Sequence, residues 1–204
     1  MVMDEGIKEP VSQSEEDFLL VRAFQAGDKE AFDKLVLKHK DRLFSLCYRY
    51  LSDYEEANDS SQDAFIKAYT GLKRFRFECT FSTWLYRIAV NTCKNKIQSS
   101  EFRQKKKRVS LEVGANPEAD GPGMDLQNGS VSPARQLEEK ERRKILMGAV
   151  DRLPPEHKEM ITLRDIEGLS YEEIVEVTGL NPGTVKSRLS RARLDLASKL
   201  RGMV

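Results

Sequence analysis

The side chains best suited to chemistry are hydroxyls and cations close to the C-terminal end of the 204-residue sequence. At 100° per residue, five of them share one helix face, and two arginines flank the opposite, apolar face. Hydroxyl and guanidinium groups hydrogen-bond to base edges, while flanking cations bind phosphates. The pattern therefore predicts a helix that reads duplex DNA. Its exposed face carries Thr184, Lys186, Ser187, Ser190 and Arg191, and its flanks carry Arg188 and Arg193.

The segment just before this helix has the signals of a short helix and a tight turn. Ser170 and Glu173 fit a capping box, and Gly179 fits a left-handed helix end. Asn181 can cap the next helix, and Pro182 fits its first position. The order predicts a helix-turn-helix, whose second helix packs inward through Val185, Leu189, Ala192 and Leu196. A solvated basic helix at the end of a bundle is the plainer alternative.

A second basic zone interleaves cations with aromatic rings. Residues 74–108 carry ten basic and two acidic side chains. Bases stack on flat rings while cations follow phosphates, so this composition suits single-stranded DNA, and Asn91 could bond the edge of a flipped-out base. Phe75, Phe81 and Tyr86 are equally explained as core residues. On a predicted helix over residues 81–97, one stripe is expected to be exposed: Trp84, Arg87, Asn91, Lys94 and Gln98.

A third surface is acidic and contains one apolar side chain. On a predicted helix over residues 54–72, an outward face carries Asp59, Gln62, Asp63, Ile66 and Thr70. An exposed isoleucine among carboxylates hints at a protein interface. A solvated face with a single stray isoleucine explains the same residues.

The elements that hold these surfaces are helical. No long alternating strand pattern occurs, and apolar residues recur at helical spacing, so we predict an all-α fold of two small helical domains joined by a flexible linker. Glycine and proline cluster in residues 113–133, which predicts a disordered connection. The predicted division is a flexible tail (1–14), a first domain (15–100), a linker (101–134) and a second domain ending in the helix-turn-helix (135–204). Further helices are expected at about 32–50, 137–152 and 156–166.

Composition narrows the function classes. Cys47, Cys79 and Cys93 are far apart without CxxC spacing, so buried thiols in a reducing cytoplasm are expected, with no metal and no cofactor. No membrane span or signal peptide is recognisable. A nuclease or recombinase needs clustered carboxylates or a nucleophile among arginines, and neither pattern is evident, so we expect no enzymatic activity. The two basic zones suit a polyanion, while the acidic segments need another partner.

Three of these segments together resemble the extracytoplasmic-function sigma factors of bacteria. SSQDAFIKAY (60–69) resembles the family's core-polymerase-binding helix, and FSTWLYRIAVN (81–91) resembles its promoter-melting and minus-10 segment. LSYEEIVEVTGLNPGTVKSRLSRAR (169–193) resembles its minus-35 reader. Phe77 departs from the pattern, because a glycine is usual there, and Asn58, Ser60 and Ser61 replace an acid and two aliphatics.

The resemblance implies a two-domain subunit that joins core RNA polymerase. Its first domain would bind the β′ clamp coiled coil and open the minus-10 element as single-stranded DNA. Its second domain would sit at the β flap and read the minus-35 duplex, and an anti-sigma factor would hold the protein inactive in the cytoplasm. The residues implied at minus 35 are Thr184, Lys186, Ser187, Arg188, Ser190, Arg191 and Arg193. Those implied at minus 10 are Arg76, Phe77, Trp84, Arg87, Asn91 and Lys94, and those implied at the polymerase are Asp59, Gln62, Asp63, Ile66 and Thr70.

A one-component regulator with a similar helix-turn-helix is the main alternative within DNA binding. Such a regulator needs a ligand-binding or receiver domain. Residues 15–100 show neither a βα alternation nor a phosphoacceptor pattern. Comigration with core polymerase would separate a sigma factor from this alternative and from an enzyme.

Overall fold

The computed structural model describes residues 13–100 and 133–201, together with Phe102 and Gln104. Within these ranges the regular structure is helical and no strand occurs, which confirms the all-α prediction. Residues 113–132 of the predicted disordered connection lie outside the described residues, and Pro133 begins a helix. The helices are α1 (Gln13–Gln25), α2 (Glu30–Leu51), α3 (Tyr54–Leu72), α4 (Phe81–Gln98), α5 (Pro133–Asp151), α6 (Pro155–Ile161), α7 (Tyr171–Thr178) and α8 (Pro182–Arg201).

Side-chain caps set the starts of two first-domain helices. The Asp53 carboxylate accepts a hydrogen bond from the backbone of Glu56 and begins α3, and the Thr80 hydroxyl accepts one from Thr83 and begins α4. Such caps satisfy backbone donors that have no partner inside the helix. Helices α2, α3 and α4 pack against one another around small and aliphatic side chains. The fully buried ones include Leu35, Leu43, Leu46, Ala57, Ala64, Leu72, Leu85 and Ala89.

Helix α1 was not predicted from the sequence. Its apolar side chains do not form a clean stripe, because Phe18 and Leu19 are exposed while Val21 and Phe24 are buried. Val21 and Phe24 pack into the core, and a buried polar contact also ties α1 to α2, since His39 Nε2 lies 2.9 Å from Asp17 Oδ2. Polar contacts between distant residues leave no periodic signal, so hydrophobic periodicity missed this helix.

Two of the serines that depart from the family pattern face the core of the first domain. Ser60 and Ser61 are buried on α3, and the Ser61 hydroxyl donates to the carbonyl of Asn58 at 2.8 Å. This bond satisfies the Ser61 hydroxyl within its own helix turn, so the buried side chain keeps a hydrogen-bond partner.

The second domain is built from α5 to α8. Pro154 and Pro155 separate α5 from α6, as predicted, since proline fits the first turn of a helix and not its interior. Helix α6 continues into a π-helical turn at Thr162–Ile166 before the chain bends at Gly168, which has φ +77°. Helix α8 packs on α5, α6 and α7.

The two domains contact each other directly in this structure. Helix α4 of the first domain packs along α7 of the second, and the buried apolar residues of both halves form one continuous cluster. Phe102, inside the predicted linker, is buried in that cluster. Cys47 and Cys93 are buried free thiols as predicted, whereas Cys79 is only half-buried.

Candidate nucleic-acid interface

The helix-turn-helix forms as predicted. The Ser170 hydroxyl accepts from the Glu173 backbone at 3.1 Å, and the Glu173 carboxylate accepts from the Ser170 backbone at 2.8 Å, which completes the capping box. Gly179 ends α7 with φ +71°, a conformation that costs glycine little. The Asn181 side chain then accepts from the Thr184 backbone at 2.8 Å and begins α8.

Helix α8 presents its predicted reading face to solvent. Val185, Leu189 and Ala192 are buried, and Leu196 packs against the core from its edge. The opposite face is open, which leaves its hydrogen-bonding groups able to reach base edges in a major groove. Its exposed side chains are Lys186, Ser187, Ser190 and Arg191, while Thr184 is half-buried at the start of the helix.

The flanking arginines of α8 already have carboxylate partners. Arg193 forms a two-pronged ion pair with Asp165, whose Nε–Oδ2 distance is 3.2 Å. Arg188 lies 3.5 Å from Glu156. Both pairs are partly exposed, so each is worth little and can exchange its carboxylate for a phosphate.

The predicted exposed stripe on α4 is wrong in part. Asn91 and Gln98 are exposed, but Trp84, Arg87 and Lys94 are half-buried. The Trp84 ring packs on Phe75 with ring centroids 5.1 Å apart. The second domain lies against this part of α4, where Lys94 pairs with Glu159 and Arg87 pairs with Glu176 while 41% of its side chain stays exposed.

Four glutamates of the second domain contact this covered face. Glu159 binds Lys94 at 3.0 Å and accepts from the Tyr50 hydroxyl at 3.0 Å. Further contacts run along α4: Thr83 donates to Glu173 at 2.7 Å, Tyr86 donates to Glu167 at 3.1 Å, and Arg87 binds Glu176 at 3.3 Å.

Sequence reasoning missed these glutamates as functional residues. The sequence feature that indicated them was the excess of acidic residues in the second domain before its last helix. That excess predicted a partner without identifying it. The structure supplies that partner within the same chain, as the basic face of α4.

Burial at this contact shifts the pKa of both groups in the Tyr86–Glu167 pair. Desolvation raises the pKa of Glu167 above its ordinary value of 4.5, and the Tyr86 hydrogen bond together with Arg49 and Arg42 opposes that rise without cancelling it. Desolvation and the nearby Glu167 carboxylate also raise the pKa of Tyr86. Contact between the domains therefore favours the protonated form of Glu167.

The accessible surface of α4 extends onto the loop that precedes this helix. Arg76 is exposed and Phe77 is half-buried in that loop. Asn91 lines an open groove of about 410 Å³ between α4 and α7, so it remains accessible from solvent. The predicted minus-10 residues thus differ in access: Lys94 is held by the buried Glu159, whereas Arg76 is exposed and Arg87 and Asn91 line the open groove.

The acidic surface on α3 faces outward as predicted. Asp59, Gln62, Asp63, Ile66 and Thr70 are all exposed, and Ile66 is 63% exposed. Leu37 and Tyr54 of the same domain are similarly exposed, so Ile66 is distinguished by its carboxylate neighbours and not by its exposure.

The described residues contain no group of three or more His, Cys, Asp or Glu side chains placed to hold a metal ion. Within the same ranges, none of the helices combines the length and apolar character needed to cross a bilayer.

Comparison with known proteins gives the family. The family described as Sigma-70 region 2 matches residues 35–103, and that described as Sigma-70, region 4 matches residues 143–196. The RNA polymerase sigma-H factor of Pseudomonas aeruginosa is 41% identical over 179 residues, which cover 88% of this chain and 91% of that protein. The ECF RNA polymerase sigma-E factor of Escherichia coli K12 is 37% identical over 194 residues, which cover 95% of this chain and 99% of that protein.

A solved structure agrees with the sequence comparison. The sigma factor RpoE of Bartonella quintana, in complex with the anti-sigma factor NepR, matches with a TM-score of 0.62 and 26% identity, over 83% of this chain and 96% of that one. Both region matches fall on the helices that carry the two candidate DNA surfaces. The chain therefore belongs to the extracytoplasmic-function sigma factors of RNA polymerase and is a transcription initiation factor.

Proposed function

We propose that this sigma factor recognises promoters through two separate surfaces, with α8 reading the minus-35 duplex. The observation that carries this proposal is the division of α8 into a buried apolar face and an open face of hydroxyl and cationic side chains. Lys186, Ser187, Ser190 and Arg191 contact base edges, with Thr184 at the start of the helix. Arg188 and Arg193 bind the flanking phosphates after leaving their carboxylates.

The second surface, on α4 and the loop before it, engages the melted minus-10 strand. Arg76, Phe77 and Trp84 lie toward the loop, Asn91 reads a base, and Arg87 and Lys94 hold phosphates. Lys94 cannot bind the buried Glu159 and a DNA phosphate at once, whereas Arg87 can exchange its exposed pair with Glu176 for a phosphate. Promoter binding through this face therefore requires the two domains to separate, and the packed arrangement is a closed form of the protein.

The remaining surface, on α3, binds core RNA polymerase. Asp59, Gln62, Asp63, Ile66 and Thr70 face the β′ clamp coiled coil, and the second domain sits at the β flap. We assign residues 15–100 to the first domain, 135–204 to the second, 101–134 to the linker and 1–14 to a tail. The protein works in the cytoplasm without enzymatic activity or a cofactor.

An anti-sigma factor holds the protein inactive in this proposal. Support comes from the Bartonella quintana relative, whose solved structure is described as a complex with an anti-sigma factor. A partner that stabilises the packed arrangement would keep Arg87 and Lys94 on their glutamates, and it would thereby block the minus-10 face.

A salt titration of the holoenzyme on matched and scrambled minus-35 duplexes tests the reading by α8. Arg191→Ala should cost roughly 1–3 kcal/mol on the matched duplex only, since a bidentate base contact is specific. Arg193→Ala should weaken both duplexes and lower the salt slope by about one. Equal losses for both variants on both duplexes would reduce α8 to an electrostatic anchor.

A further inference from the structure

Leu194 is an apolar side chain on the otherwise polar open face of α8. It is 69% exposed, more than any other large apolar side chain among the described residues. Exposure alone does not mark a site, because single apolar side chains are common on protein surfaces. Leu194 is distinguished by the side chains with which it shares its helix face.

Leu194 extends the row of side chains that we assign to the minus-35 bases. At 100° per residue, positions i, i+3, i+4 and i+7 of a helix form one stripe. On α8 this stripe consists of Ser187, Ser190, Arg191 and Leu194, all of them exposed. At about 1.5 Å per residue the stripe is about 10 Å long, which corresponds to roughly three base-pair steps. Leu194 therefore lies where α8 would meet the next base pair along the groove.

The charge around Leu194 favours DNA over a protein as the molecule that covers it. Residues 181–204 carry six basic side chains and one acidic side chain, Asp195. Asp195 is turned toward α6, where its Oδ2 atom lies 2.6 Å from Nδ1 of His157. The open face of α8 thus presents cations and hydroxyls without a carboxylate of its own, which suits a polyanion.

Duplex DNA offers such a side chain one apolar partner. In the major groove that partner is the 5-methyl group of thymine, and the other groups that distinguish the bases there are hydrogen-bond donors and acceptors. Leu194 lines an open groove of about 340 Å³ whose walls also include Leu189 and the Tyr171 ring. A methyl group that enters this groove is covered by apolar side chains on more than one side, which favours its removal from water.

We propose that Leu194 recognises a thymine of the minus-35 duplex by packing on its 5-methyl group. The hydroxyls and Arg191 of the same stripe supply hydrogen bonds to neighbouring bases. Leu194 adds a preference for thymine over cytosine that depends on the methyl group and not on hydrogen bonding. This inference rests on the proposed function of α8, and it adds one base contact to that surface.

Replacement of thymine by uracil tests the contact, because uracil pairs like thymine but lacks the 5-methyl group. The holoenzyme is titrated with the minus-35 duplex that it selects from randomised sequences, and with duplexes in which each thymine of either strand is singly replaced. In the unchanged protein, uracil at one position should weaken binding roughly 2- to 5-fold, as expected for one methyl group left uncovered. A selected element in which no single replacement weakens binding overturns the proposal.

Variants at Leu194 assign that methyl group to its partner. Leu194→Ala should weaken binding to the thymine duplex roughly 2- to 10-fold and abolish the effect of uracil at the sensitive position. Leu194→Met keeps an apolar side chain of similar volume and should retain the uracil effect. Leu37→Ala is the matched control, since it removes a leucine that is 64% exposed from α2, and it should leave the uracil effect unchanged. A uracil effect that persists in Leu194→Ala overturns the proposal.

Arg191→Ala in the same titration distinguishes this inference from the proposed function. If Arg191→Ala loses discrimination against a scrambled duplex while Leu194→Ala keeps the uracil effect, the thymine contact is overturned and the reading by α8 stands. If Leu194→Ala abolishes the uracil effect while Arg191→Ala discriminates like the unchanged protein, the thymine contact stands and the role of Arg191 fails. If both variants behave like the unchanged protein on every duplex, both assignments are overturned.

Discussion

The two proposed DNA-binding surfaces, on α8 and on α4, differ in how the second domain contacts them. The reading face of α8 is open to solvent, and only its flanking arginines have acidic neighbours, Asp165 and Glu156. On the α4 face, Arg87 and Lys94 pair with glutamates from the second domain. Carboxylates compete with phosphates for the same cations, so the packed arrangement leaves the proposed minus-35 surface open and occupies Lys94 on the proposed minus-10 surface.

The largest effect is expected from unfolding the second domain, because that domain contacts α4. Val185 is fully buried under α8, so Val185→Asp places an unpaired charge in the core and should cost at least ~3 kcal/mol. The second domain should unfold and expose α4. Circular dichroism melts and limited proteolysis of the full chain measure this. Ser198→Asp, on the exposed side of the same helix, should change stability by no more than about 0.5 kcal/mol.

A smaller effect is expected from releasing Lys94 while both domains stay folded. Glu159 is buried and hydrogen-bonded to Lys94 and Tyr50, so Glu159→Gln should weaken the contact between the domains by roughly 1.5–3 kcal/mol. Energy transfer between one dye on each domain measures their separation. Glu141→Gln, an exposed change on α5, is the control.

The charge-swapped pair Lys94→Glu with Glu159→Lys should recover the packed arrangement that Glu159→Gln loses. If the double variant stays as open as Glu159→Gln, the ion pair is not what holds the domains together, and apolar packing between α4 and α7 carries the contact.

A modest gain in duplex binding is expected from releasing Arg193. Asp165→Asn removes its exposed ion pair, which is worth about 0.2–1 kcal/mol, so affinity for duplex DNA should rise roughly 1.5- to 5-fold. Asp195→Asn removes one negative charge from α8 itself without freeing Arg193, and it controls for the general loss of repulsion. A gain no larger than that of the control would show that Arg193 takes no phosphate.

The smallest effect is a pH dependence of the packed arrangement. Because burial raises the pKa of Glu167, the packed form binds a proton more tightly than the separated form. The contribution of Glu167 to the stability of the contact is therefore fully present below pH 4.5 and is lost as pH rises through the raised pKa of Glu167. Glu167→Gln keeps a hydrogen-bond acceptor for Tyr86 and should remove this component from the energy-transfer signal. An identical pH profile in the variant would contradict the assignment.

Much of the fold was predictable because its signals are local. The capping box at Ser170, the left-handed end at Gly179 and the buried stripe on α8 each depend on residues a few positions apart. The bounds of α3 follow equally from Asp53 as a cap and from small residues at helical spacing. The outward faces of α3 and α8 came from the same periodicity, because a helix with one buried face necessarily turns the other one outward.

The sequence by itself determined α2 to α8, the caps of α7 and α8, and which faces of α3 and α8 are polar, since those properties follow from neighbours within one or two turns. Only the tertiary structure decided what covers α4. Thr83, Tyr86 and Arg87 contact glutamates 81 to 90 positions away, and no periodicity joins residues so distant. The docking of α1 and the left-handed backbone of Phe77, with φ +60°, were decided the same way, because Asp17, Phe18 and Arg22 find their partners only once the chain has folded.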